Sequence, residues 1–196
     1  MGLLNFFKRK KDMSEPSNTV SCMLPIPTHL EDILIPIGNK NNEFHVDGVI
    51  RCSCGCENFN IRIFADTKNG YPQECEYNGG FALVVVVACA DCKKEHLILD
   101  ISIHGWDGFV CHRGTTAPDE ELKSWNCPKC KNDIHSVYVS IESEGKQDFI
   151  EGAGIADGES EFKEDDWINA FCWITIGLKC SGCGKNDYIW IDYEAA

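Results

Sequence analysis

No stretch of this chain is apolar enough to cross a bilayer, and residues of positive charge are scarce. The longest apolar run, Phe81 to Ala90, is about half of the roughly 20 residues a spanning helix needs. The apolar core of a secretory leader is also missing. Leu3, Leu4, Phe6 and Phe7 are cut short by Lys8, Arg9, Lys10 and Lys11. We therefore expect an intracellular, cytoplasmic protein, in a compartment that keeps thiols reduced. Lys and Arg total 18 against 31 Asp and Glu, a formal net charge of −13. Phosphate backbones are held by Lys and Arg that displace counterions, so this balance argues against nucleic acid as a partner.

Cysteine is what the chain has in excess: 13 among 196 residues. Under reducing conditions, paired cysteines point to metal rather than to disulfides. Domains below 100 residues bury little apolar surface, which makes such staples common.

The order of residues suggests five segments. Residues 1–20 form a basic and polar tail, whose first 11 residues could make weak peripheral contact with an anionic membrane. Gly2 is no myristoylation signal, because Phe6 stands where Ser or Thr is required. Residues 21–43 carry Pro25, Pro27 and Pro36, which exclude a long helix and suggest a strap laid over the first domain. That first unit spans 44–108; a linker covers 109–124 and a second unit 125–196.

Both units have the same layout. The first runs Cys52-Ser-Cys54-Gly-Cys56, a strand, two turn signals (Asn69-Gly70 and Asn78-Gly79-Gly80), an apolar strand, Cys89-Ala-Asp-Cys92 and a closing strand. The second runs Cys127-Pro-Lys-Cys130, an alternating strand through Val137, Val139 and Ile141, an acidic insertion, an apolar strand, Cys180-Ser-Gly-Cys183 and a closing strand. We read a tandem repeat of antiparallel strands, and a mainly β fold. The insertion, 142–166, holds ten acids against two lysines and is expected to be a solvated, mobile loop.

A four-ligand zinc shell draws two sulfurs from each of two tight turns. Cys127, Cys130, Cys180 and Cys183 supply one such set, and Cys89 with Cys92 half of another. Cys52, Cys54 and Cys56 compete for the remaining two places. Glycine follows the second cysteine of a knuckle at Gly184, and Gly55 follows Cys54. Counting from Cys54 and Cys130 also brings Ile61 into phase with Val137. We expect Cys52 and Cys54 as ligands and Cys56 as spare, with Cys56 in place of Cys52 as the alternative. This ligand count gives two structural zinc ions per chain, with iron as the other metal such a shell accepts.

These knuckles resemble those of the zinc-ribbon folds, with rubredoxin-like turns in both halves, over roughly residues 44–196. The chain is similar to bacterial zinc-ribbon proteins without an assigned activity. The resemblance implies a metal-binding architecture and no catalysis.

Outside the knuckles, Cys111-His112 is the one pair that suggests a further metal site or a nucleophile. His96 and His104 are expected to face solvent, and Cys172 to lie in the core. Arg51, Lys93, Lys129 and Lys185 crowd the knuckles, where cations would offset thiolate charge. The expected function is non-enzymatic: a zinc-stapled binding or adaptor protein whose acidic surface meets a basic protein, as an inhibitor or immunity-type protein does. The alternatives are a zinc enzyme using Cys111 and His112, or a nucleic-acid-binding zinc ribbon.

Overall fold

The computed structural model describes residues 23–38, 40–156, 158 and 160–196. The tail expected at 1–20, with its membrane contact, lies outside them. The fold is mainly β and antiparallel, as expected. No helix among the described residues is long and apolar enough to cross a membrane.

Thirteen strands occur in chain order among the described residues: β1 Leu34–Pro36, β2 His45–Ile50, β3 Phe59–Phe64, β4 Asp66–Lys68, β5 Tyr71–Gln73, β6 Cys75–Tyr77, β7 Gly80–Ala82, β8 Val84–Cys89, β9 Glu95–Asp100, β10 Lys123–Trp125, β11 Ile134–Glu142, β12 Trp173–Cys180 and β13 Asn186–Glu194. Helix α1 covers Lys146–Gly152, and a 3-10 segment covers Glu164–Asn169. The Asn-Gly signals read from the sequence close the two small ribbons, β4–β5 and β6–β7. Asn69, Gly70, Asn78 and Gly79 all have positive φ, the backbone that a two-residue hairpin turn demands.

β3, β8 and β9 form a three-stranded unit in the first half, and β11, β12 and β13 repeat that order in the second. The two units share one nine-stranded sheet. β11 lies along β12 on one edge. On its other edge it pairs first with β3, through Ile134 and His135, and then with β2, from Tyr138 to Glu142. β10, which begins inside the expected linker, pairs with β3 opposite Ile61 to Ile63.

The side chains explain this sharing. Val137, Val139 and Ile141 alternate inward along β11 and are at most 2% exposed. They join Phe59, Ile61, Val85, Leu99, Ile174 and Ile176 in one core drawn from both halves. β8 lacks alternation because both its faces are covered. Val85 and Val87 enter that core, whereas Val84 and Val86 pack with Ala82 and Ala117 in a smaller cluster. Leu30, Ile33 and Leu34 of the proline-rich strap are also buried in the main core.

The acidic insertion differs from its expected form. α1 and the 3-10 segment fold back on the stretch after β9, and a cluster of rings joins them. Phe149 meets Trp106 at 6.1 Å and Phe162 at 6.1 Å, and Phe162 meets Phe109 at 5.3 Å. Lys146 ties α1 to Glu164 and Asp165. Glu144, Asp148, Glu151, Glu161 and Glu164 are exposed while the rings turn in, so a stretch expected as a solvated loop packs in part as a cap.

Because one core serves both units, Ile141→Ala should lower stability by about 2–5 kcal/mol while leaving a single unfolding transition. Denaturation followed by tryptophan fluorescence and by far-ultraviolet dichroism should coincide; two separated transitions would refute the shared core.

Candidate metal centres

Each knuckle is a turn whose backbone is fixed before any metal is considered. In three of them the first cysteine N–H donates to the carbonyl five residues on, and the residue after the second cysteine donates back to the first cysteine carbonyl. These bonds are Cys89 to Lys94 (2.9 Å) and Lys93 to Cys89 (3.1 Å), Cys127 to Asn132 and Lys131 to Cys127 (both 2.8 Å), and Cys180 to Lys185 (2.8 Å) and Gly184 to Cys180 (3.0 Å). The returning residue must be left-handed: φ is 64° at Lys93, 63° at Lys131 and 67° at Gly184. The fourth knuckle keeps the pattern with one residue fewer. Cys52 donates to the Cys56 carbonyl, Gly55 donates to the Cys52 carbonyl, and Gly55 has φ 91°. Gly55 therefore occupies the place of Gly184, which makes Cys54 the second cysteine of its turn.

The sheet brings these turns together in pairs. Phe59 of β3 stands opposite Cys89 of β8, and His135 of β11 stands opposite Cys180 of β12. The result is two groups, Cys52, Cys54, Cys89 and Cys92, and Cys127, Cys130, Cys180 and Cys183, with all ligand atoms of a group within 4.8 Å of one another. Sulfur pairs lie 3.5 Å apart for Cys52–Cys92 and for Cys54–Cys89. They lie 3.7 Å apart for Cys127–Cys183 and 3.5 Å for Cys130–Cys180. A zinc–sulfur bond of about 2.3 Å puts the corners of a tetrahedron about 3.8 Å apart, so both groups are close to the size of a four-thiolate shell. None of these separations is that of a disulfide, about 2.05 Å. Cys56 belongs to neither group, and its sulfur accepts the Asn58 N–H at 3.4 Å. Gly182 leaves little room in the second site, since a Cβ there would stand 3.0 Å from the Asn132 Cβ and 3.4 Å from the Cys130 sulfur.

Protons divide unevenly within each group. Burial pushes the Cys89 thiol up, but the N–H groups of Cys92 and Asp91 outweigh it and bring it down to about 6. Cys180 is brought down to about 6 in the same way, burial being opposed by the N–H groups of Cys183 and Gly182. Their neighbours move oppositely. The Cys56 N–H favours the Cys54 thiolate, yet the Cys89 sulfur and burial push it up to about 12. For Cys130 the Asn132 N–H is likewise outweighed, by burial and the Cys180 sulfur, and the thiol reaches about 12. Four sulfurs this close cannot all ionise unless a cation stands among them.

Three of the nearby cations have partners other than sulfur. Arg51 pairs with Glu57, Lys93 donates to the Ala90 carbonyl and Lys185 pairs with Asp187. Residues that carried no signal in the sequence matter more. The Asn132 side-chain N–H₂ donates to the Ile134 carbonyl and reaches the Cys180 sulfur at 3.8 Å. Asn58 joins the two centres: its carbonyl accepts the Ala90 N–H of one knuckle, and its side-chain oxygen accepts the Ser181 hydroxyl of another at 2.8 Å.

The remaining candidates are placed differently. Cys111 and His112 are exposed, His112 pairs with Glu161, and among the described residues they join no third group of metal-ligating side chains. His104, expected at the surface, is buried. It stacks on His29 at 3.6 Å and accepts the Asp100 N–H, because the strap folds over that end of β9. His96 is half-buried, edge-on to Phe59. Cys172 is half-buried just before β12, its thiol on the Glu142 carbonyl.

The fold and its two four-cysteine groups thus define a mainly β protein with sites compatible with zinc-ribbon-like metal centres. Comparison with protein-family models, curated proteins and solved structures finds no match to the chain.

At neutral pH, loading either site with a divalent ion should expel at least one proton, that of Cys54 in the first site and of Cys130 in the second. Acid should therefore weaken metal retention and alkali strengthen it, with the Cys89 and Cys180 thiolates the last to be protonated. Titration calorimetry in buffers of differing ionisation heat counts the protons, and a count near zero would contradict the assignment. Cys56→Ser should leave metal content unchanged.

Proposed function

We propose that the chain is a zinc protein whose two metal ions are structural, and that it acts by binding another protein through its acidic surface. One observation carries the first part: the four sulfurs of each group complete a shell among themselves. A catalytic zinc keeps a position for water or substrate, whereas a four-cysteine shell has none. Four thiolates suit zinc or iron, and a role confined to holding turns together favours zinc, which has no redox chemistry. A reducing, cytoplasmic setting agrees with unpaired thiols.

Support for a basic protein partner comes from charge. The 142–166 stretch has ten acids against two lysines, and Lys146 already holds Glu164 and Asp165. Glu144, Asp148, Glu151, Glu161 and Glu164 are exposed. Such a surface repels nucleic acid and accelerates encounter with a positive one. An inhibitor that covers the basic face of a nucleic-acid enzyme is one concrete form.

Metal analysis of purified protein should give two zinc per chain. Cys180→Ser should give one, with the chain still folded and its melting temperature lowered. Capture from the native cell should retain a basic partner at low salt and release it at high salt. No partner under either condition would overturn the binding role.

A further inference from the structure

A cleft of about 640 Å³ opens between β5 and β13. Its lining includes Glu74, Asp107, Asp192 and Glu194 and neither lysine nor arginine. Asp107 pairs with Arg113 at 2.8 Å, and the arginine side chain is 69% exposed. One oxygen of Asp192 accepts the Trp173 indole N–H at 2.7 Å and the Thr175 hydroxyl at 2.9 Å, which fixes the carboxylate in place. The Tyr193 phenol nearby is pushed up to about 12, first by burial, with Asp107 and Glu74 adding to the rise against the charge of Arg113.

Part of the wall is apolar. The pairing of β12 with β13 slips between Ile176 and Leu178, and the bulge leaves Tyr188 76% and Ile189 60% exposed. Ile189 lines the cleft, as does Tyr71 at 45% exposure. Trp190, in the same wall, is 1% exposed, and its indole N–H has no acceptor. The 142–166 segment offers less: it turns Phe149 inward and presents carboxylates, which steer a partner without seating it.

We propose that this cleft is the docking site for an extended, arginine- or lysine-rich segment of a partner protein. Its cations lie among Glu74, Asp107, Asp192 and Glu194, and its apolar side chains rest on Ile189 and Tyr71. A guanidinium matches carboxylates as a fork and stacks on aromatic rings, so arginine suits the site best. This inference rests on the basic-partner reading above and names the surface that reading uses.

The test takes zinc-loaded, full-length protein and a fluorescein-labelled peptide of alternating arginine and valine, followed by anisotropy. Asp192→Asn with Glu194→Gln removes two charges from the cleft. Glu151→Gln with Glu164→Gln removes two from the insertion and serves as the control. Metal content and dichroism of both variants verify the fold. The cleft pair should weaken binding about tenfold and the control pair by no more than about twofold. Equal losses, or a larger loss in the control, would overturn the cleft and leave the basic-partner reading standing. No saturable binding by any form, even at low salt, would overturn both.

Discussion

Eight sulfurs gathered in two tight groups are the constraint on which the rest of the chain depends. Thiolates at 3.5–3.7 Å repel, so without a cation the sulfurs of each group must share protons. Backbone N–H groups lower the cost at Cys89 and Cys180 by favouring their charged forms, and the same charge then holds Cys54 and Cys130 protonated. A divalent ion resolves the conflict by displacing those protons. The left-handed residues at Lys93, Lys131, Gly55 and Gly184 belong to the same balance. For the two lysines that backbone carries a strain of about 1–2 kcal/mol each, which a bound metal offsets many times over.

The way the halves are joined changes what the metal must do. Taken as two units below 100 residues, each would depend on its ion to fold, since structural zinc contributes apparent energies of roughly 10–16 kcal/mol in small peptides. In the structure the inward faces of both units fill one core, and β11 pairs with strands of each half. Burial shared in this way gives the sheet stability of its own, and bound ions would secure chiefly its knuckled end. Asn58 carries the connection further. With one of its atoms bonded to each centre, disorder in one knuckle removes a partner from the other.

What the sequence disclosed was what local chemistry determines. The choice of Cys52 and Cys54 over Cys56 followed from Gly55 and from the phase of Ile61 against Val137, and the structure groups those cysteines. Asn69-Gly70 and Asn78-Gly79 announced their hairpins because few other residues adopt that backbone. The contacts that escaped were between distant segments. Nothing local tells that Ile134 will lie beside Asn60, or that His29 will cover His104. The ring cluster escaped for the same reason. Trp106 and Phe149 are far apart in the chain, and the acids around Phe149 and Phe162 disguised a small apolar core as a solvated loop.

The same blindness explains why charge counting pointed to one acidic surface and packing points to another. In 142–166 the carboxylates are consecutive enough to be conspicuous, yet their rings are spent on holding the segment down. Around β13 the acids come from separate stretches, Glu74, Asp107, Asp192 and Glu194, and only the fold brings them to one place. There they stand beside exposed Ile189 and Tyr71, whose apolar area has no covering within the described chain. Exposed carboxylates alone contribute little to a complex, since water and salt screen them. Carboxylates at the edge of an apolar wall contribute more, because a partner that covers the wall also removes the water around them. On the reading proposed above, the long-range field of the insertion and the short-range contacts of the cleft would act in sequence on one positive partner, the first governing how fast it arrives and the second how long it stays.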